Sequence, residues 1–251
     1  MEKLRIIGMH DVRNEMERLV CNTNAYRKGG AKIPNFIINL DPGNGQTFAT
    51  ETITDILVNY KLREFHGLDE YLEYKPDGSL ANIKWMFADI EDNAVYDNGY
   101  KGVISIDITR LASNQNGYEM KYFEEHLGKV AETATIILYC STNIGVKGDR
   151  LKDRLSKVIG NVKEIEAYEY SSTDFAEMII QNITERGIEV PDENKVIKVL
   201  SEVISIKDVK TAKSAVALAE NLVFYADYSK AIPVLNFGKA KDFKTNYCKE
   251  A

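Results

Sequence analysis

The stretch from Asn35 to Leu57, NFIINLDPGNGQTFATETITDIL, constrains this chain more than any other. Its apolar run Phe36-Ile37-Ile38 is short enough to be a buried strand. The cluster Asp41-Pro42-Gly43-Asn44-Gly45-Gln46-Thr47 is turn-forming, and Phe48, Ile53, Ile56 and Leu57 then recur as a helical stripe. Strand, glycine-rich turn and helix is the layout in which backbone N–H groups and a helix N-terminus face a phosphate. The phosphate-loop consensus is Gly, four residues, then Gly-Lys-Ser/Thr. Gly45 and Thr47 fit it, Gln46 stands in the lysine's place, and Leu40 stands in the first glycine's. Read from the residues alone, the turn is either a phosphate cradle or a capped strand–helix connection.

A chain of 251 residues suits one large domain, or a core with a smaller module. Its hydrophobic content of 44% can fill a core. The formal charge of −6 disfavours a nonspecific nucleic-acid binder, which needs a basic face. No apolar run reaches membrane-spanning length, and the opening MEKLRIIGMH has no signal-peptide apolar core, so a cytoplasmic protein without membrane partners is expected. Cys21, Cys140 and Cys248 are odd in number and far apart, the pattern of reduced thiols rather than a disulfide framework. His10, His66 and His126 are equally scattered, so neither a zinc site nor a His-based triad is expected.

Along the chain, Val12, Met16, Leu19 and Val20 share a helical face, which Gly29-Gly30 and Pro34 close before the first strand. Phe65 to Leu68 reads as a short strand and Leu80 to Tyr96 as a helix. Gly102 to Asp107 is a second buried-strand pattern, followed by a polar loop at 113–117 and a helix from Tyr118 to Ala131. Thr135 to Cys140 is a third strand, Arg150 to Val158 a helix, and Val162 to Ala167 a further strand. Alternating strands and helices predict a mostly parallel sheet covered on both faces. Near Tyr170 the pattern becomes all-helical: Ser172 to Arg186, Pro191 to Val203, and a third helix capped by Ser205 and Asp208 and running to about Tyr225. The expected divisions are an α/β core over 1–169, a helical module over 170–227 and a tail over 228–251.

In this order the pieces resemble an AAA+ ATPase domain, and the resemblance covers nearly the whole chain. Ile6-Ile7-Gly8-Met9-His10-Asp11-Val12 is similar to the segment in which an apolar residue and a glycine, here Ile7 and Gly8, sit beside the adenine. Pro42-Gly43-Asn44-Gly45-Gln46-Thr47 resembles the Walker A loop, with Phe48 behind it. Gly102 to Ile108 resembles the Walker B strand, which normally ends in Asp-Glu, and this makes Asp107 the candidate for Mg²⁺. Asn143, at the end of Cys140-Ser141-Thr142-Asn143, resembles sensor 1. Arg150 and Arg154 fall where the family carries arginine fingers. Lys207 or, further on, Lys241 stands at sensor 2. The resemblance implies a three-layer P-loop NTPase core, a five-stranded parallel sheet in the order 5-1-4-3-2, a small helical lid, and weak ATP or ADP binding.

The departures point to lost chemistry. Gln46 is neutral and shorter than the Walker A lysine, whose charge sits on the β/γ-phosphates. Ile108 takes the place of the glutamate that polarises the attacking water. Losing a general base alone costs about 10²–10⁴-fold, and losing a preorganised cation at the transferring phosphoryl group is comparable. Asp41 puts a carboxylate beside the loop, where it should repel phosphate. The expectation is therefore a pseudo-ATPase of the protein-remodelling type, a regulatory or structural subunit that is a monomer or small oligomer alone and acts on another protein. The alternative is a slow but genuine ATPase whose missing groups come from elsewhere; Lys32, Arg110 and Glu51 lie close in sequence to the motifs.

Overall fold

The computed structural model describes residues 9–63, 71–94, 100–113, 117–166 and 170–248. They divide into two compact units, one over residues 11–166 and the other over 170–248 with Met9 and His10. No helix among the described residues is long and apolar enough to cross a membrane.

In the first unit, α1 (His10–Cys21) and the short α2 (Thr23–Arg27) precede β1 (Asn35–Asn39) and α3 (Gln46–Asn59). Then come β2 (Leu72–Tyr74), α4 (Leu80–Asp92), β3 (Val103–Asp107) and α5 (Tyr118–Val130). The unit closes with β4 (Thr135–Cys140), α6 (Val146–Ile159) and β5 (Val162–Ile165). The five strands form one parallel sheet in the order β2-β3-β4-β1-β5, which is the expected 5-1-4-3-2 order read from the other edge. Every residue of β1 and of β4 is buried, as a parallel sheet covered on both faces requires. Asn35 is a buried polar residue with a reason to be there. Its side chain donates to Ile159 O at 3.0 Å and accepts from Ile136 N–H at 2.8 Å, tying β1 to β4 and to the end of α6.

Element boundaries shift in two places in this unit. The expected strand at 65–68 lies outside the described residues, and the edge strand observed is β2, only three residues long. The phenol of Tyr74 on that strand donates to Asp89 Oδ2 at 2.6 Å, which fastens β2 to α4. Helix α6 starts at Val146, four residues before Arg150, because Gly145 with φ of 55° ends the preceding turn and frees the next residue to begin the helix.

The second unit contains α7 (Ser172–Glu185), α8 (Glu193–Ile206), α9 (Ala212–Val223) and α10 (Phe237–Tyr247). Ser171 and Asp174 form a reciprocal capping box at the start of α7. The expected cap at Ser205 and Asp208 is corrected. Val203 and Ile204 are buried, so α8 continues through Ser205, whose hydroxyl donates back to Ser201 O at 2.9 Å. Asp208 takes a left-handed φ of 51° where the chain turns, and Thr211 caps α9 by accepting from Ser214 N–H at 3.1 Å. The tail over 228–251 is corrected too: α10 packs against α8 with Ala240 and Phe243 fully buried.

Candidate functional site

Parallel strands end together, so the loops that follow β1, β3 and β4 meet at one edge of the sheet, where ligands bind in open α/β folds. The loop after β1 turns through two left-handed glycines, Gly43 with φ of 86° and Gly45 with φ of 93°. Gly45 is the N-cap of α3, and no side chain caps the helix, so the first-turn N–H groups of Gln46, Thr47 and Phe48 have no side-chain acceptor. A residue with a Cβ at either glycine position would be strained, which is why the loop is written Gly-Asn-Gly. Phe48 points partly to solvent, at 41% exposure.

Gln46 has turned its side chain onto its own loop: Nε2 donates to Leu40 O at 2.9 Å. Its backbone carbonyl is held from the other side. The Tyr139 phenol donates to Gln46 O at 2.9 Å, and Thr50 Oγ1 lies 3.0 Å from the same carbonyl and 2.9 Å from the phenol oxygen. Tyr139 is buried, and that burial holds its phenol protonated far above the ordinary range. The base of the loop is thus anchored to β4 by a cluster of hydroxyls.

Asp41 is held by the neighbouring loop. Its carboxylate turns toward the loop after β4 and is taken up there by hydroxyl and N–H donors. Ser141 Oγ and Thr142 Oγ1 donate to it, as does Thr142 N–H at 2.9 Å. A carboxylate with several donors has a local structural role, and it ties the first loop to the Ser141-Thr142 segment. Asn143 follows in a short 3₁₀ turn, Thr142–Ile144, with its N–H on Ser141 Oγ at 3.3 Å and its side chain exposed.

A small cleft opens between α3 and strands β2 to β4. The hydroxyls of Thr50, Ser105 and Tyr139 line it, with Gln46 and Thr47 from the loop and Asp107 from β3. Two residues of the β2 end, Glu73 and Lys75, complete the lining. Of the expected site residues, the cleft brings together Gln46, Thr47 and Asp107. Asp107 Oδ1 accepts from Thr109 N–H at 2.9 Å, so one oxygen caps the turn after β3. A hydroxyl and a carboxylate in one cleft are a donor set suited to Mg²⁺ held partly through water. Ile108 faces away: it is 0% exposed within the apolar core, and its N–H donates to Tyr139 O at 2.9 Å.

The other expected residues lie elsewhere. Ile7 and Gly8 are outside the described residues. Arg154 pairs with Glu124 of α5 at 2.7 Å, while Arg150 is exposed. Between them Lys152 points inward, to Asn39 Oδ1 at 2.9 Å, Asp149 at 3.0 Å and Glu164 at 3.3 Å. In the second unit, Lys207 ends α8 with its ammonium 4.7 Å from the centre of the Tyr247 ring, and Lys241 lies 4.3 Å from that of Phe237. Cys140 is no nucleophile, since burial pushes its thiol up to about 11. Lys32, Arg110 and Glu51 are not among the residues lining the cleft. Sequence reasoning missed Glu73 and Lys75. The signal that would have found them is the Leu-Glu-Tyr-Lys alternation, which puts residues 73 and 75 on one face of a strand.

No protein-family model matches the chain, and neither does any curated sequence. Solved structures do. The Holliday junction branch migration motor RuvB of Thermotoga maritima is 14% identical and matches with a TM-score of 0.58, over 96% of this chain and 70% of RuvB. A variant of the same RuvB gives 18% identity and a TM-score of 0.54, over 96% and 71%. RuvB is an AAA+ P-loop ATPase. The chain has that fold: a five-stranded parallel sheet with surrounding helices and helices at its C-terminal end.

Proposed function

We propose that this chain is an AAA+ domain that binds nucleotide weakly, does not turn it over at an enzymatic rate, and acts through contacts with another protein. One observation carries this reading. The cradle keeps its left-handed glycines and uncapped helix N-terminus with Thr47 and Asp107 in one cleft, whereas position 108 belongs to the core. Backbone N–H groups and the helix dipole favour an anion without any lysine. Gln46 offers no charge, and an isoleucine directed into the core polarises no water. Asn143 and Lys207 take the sensor positions by resemblance, and Arg150 is the finger candidate with no intrachain ion pair among those described. RuvB is a branch migration motor, but a fold shared at such low identity carries no substrate with it, and the net charge of −6 favours a protein partner over DNA.

A second reading, a slow ATPase with borrowed groups, is favoured by the presence of Glu73 and Lys75 in the same cleft. Thermal unfolding with ATP, ADP and Mg²⁺, paired with phosphate release, separates the two. At a ligand concentration of 100 Kd the native state gains about 2.7 kcal/mol, and the expected result is that stabilisation with no turnover above background. Turnover near about 1 s⁻¹, abolished by Asp107→Ala, would refute the non-hydrolysing reading. No thermal shift with any nucleotide would leave the loop a structural turn.

A further inference from the structure

We propose that Lys75, at the end of β2, is the phosphate-facing cation of the cleft, supplying from the sheet edge the charge that the loop lacks at position 46. The proposal rests on the reading that this cleft takes nucleotide, and it goes further by naming the group that recognises the polyphosphate. Strand register puts Lys75 there. Tyr74 pairs with Ile106 in the parallel β2–β3 ladder, so Lys75 falls level with Asp107, and Glu73 sits opposite Ser105. Side chains alternate along a strand, so residues 73 and 75 share the face on which 105 and 107 lie. All four line the cleft with Gln46 and Thr47.

Lys75 is paired with Glu73 at 2.7 Å, the lysine side chain 59% exposed and the glutamate 34%. An ion pair this exposed contributes little to folding, so stability does not account for it. It keeps an ammonium in the lining that Gln46 and Thr47 of the loop share. Gln46 cannot compete for a phosphate in the same way, because its amide carries no charge and one of its two N–H donors is on Leu40 O. A polyphosphate entering against the α3 N-terminus carries more negative charge than Glu73 and draws Lys75 across. Glu73 is then the resting counter-ion and sets the affinity: a ligand must displace it. A site built this way should respond to charge-dense ligands more than to single phosphates.

Calorimetry with ATP, ADP, inorganic tripolyphosphate and orthophosphate tests this on the full chain. Lys75→Ala should weaken ATP and tripolyphosphate by about tenfold or more, the worth of one charge-assisted hydrogen bond. Lys75→Arg should stay within a few-fold of the parent, and Glu73→Gln should tighten binding by removing the competitor. Lys32→Ala, remote from the cleft lining, should change nothing. ATP bound by the parent with equal affinity in Lys75→Ala overturns the assignment while leaving the nucleotide site intact. A parent protein that binds neither ATP nor tripolyphosphate overturns both together. Tripolyphosphate binding without any added affinity for ATP identifies a polyphosphate site rather than a nucleotide one, and still requires the Lys75→Ala loss. If Lys75→Ala does not fold, Lys75→Gln carries the same comparison.

Discussion

Placing a glutamate at position 108 is the obvious way to seek hydrolysis, and here it should destabilise the fold first. Ile108 is 0% exposed, packed in the core cluster, with its N–H on Tyr139 O. Ile108→Glu loses the burial of an isoleucine side chain, about 1.5–3 kcal/mol. It also puts a carboxyl among apolar residues, where it titrates at about pH 8–9 rather than the unfolded value of about 4.3. Because the folded pKa is raised, the acid is tolerated best below the unfolded pKa. Stability is then lost at about 1.36 kcal/mol per pH unit as pH rises toward the folded pKa. Between pH 4.3 and 7 that amounts to almost 4 kcal/mol, so the whole penalty at neutral pH is roughly 5–7 kcal/mol. A domain holds about 5–15 kcal/mol in all. At about 2–4 °C per kcal/mol for a chain of this size, the unfolding temperature should fall by about 10–20 °C or more at pH 7. The drop should be several degrees smaller at pH 5. Differential scanning calorimetry of Ile108→Glu and Ile108→Val across pH 5–8 measures both the size and the slope. A glutamate variant as stable as the parent, with no difference in slope, would mean that the side chain reaches water, and the argument from burial would be wrong.

Two further outcomes follow from the same geometry. Asp41→Ala removes the acceptor shared by Ser141 and Thr142 and should cost about 1–2 kcal/mol, discounted because the site is half-exposed; an unchanged urea midpoint would show that the two loops are held by something else. Phe243→Ala in α10 deletes a ring stacked on Tyr247 at 4.8 Å and edge-on to Tyr225 at 5.2 Å, and should cost about 3–5 kcal/mol. A negligible loss there would return residues 228–251 to the status of a tail.

What could be read from the residues follows from how strongly each segment repeats. β1, β3 and β4 carry short apolar runs rich in β-branched residues and bounded by polar ones, the pattern of a buried strand, and the glycine turn between β1 and α3 admits few conformations. The sheet order followed from resemblance and matches the pairing observed. Weak periodicity hid the rest. β2 offers only Leu-Glu-Tyr, too short to stand out, and with it went Glu73 and Lys75. α10 buries Ala240 and Phe243 alone among lysines and polar residues, so its face is two residues wide and reads as a solvated tail. The orientation of Asp41 lay beyond any sequence pattern, because its partners are a hundred residues away.

The two departures from the Walker motifs differ in kind, and the difference decides what can be undone. Gln46 lines the cleft, and Lys75 just past β2 lines it too. Ile108 belongs to the apolar core cluster that also holds Leu111 and Met120, so its replacement by an acid is a folding problem before it is a catalytic one. On the proposed reading, charge at the phosphate end is open to repair by one substitution, or is supplied by Lys75. The water-polarising group is not recoverable at its original position. A carboxylate for that task has to enter from the cleft wall, which carries Glu73 beside Asp107, the Mg²⁺ candidate. One oxygen of Glu73 meets Lys75 at 2.7 Å, and a carboxylate has a second oxygen that can accept from a water. A second cation nearby would loosen that pair and leave Glu73 freer to accept from water, so Gln46→Lys is the first change to test, by phosphate release against the parent.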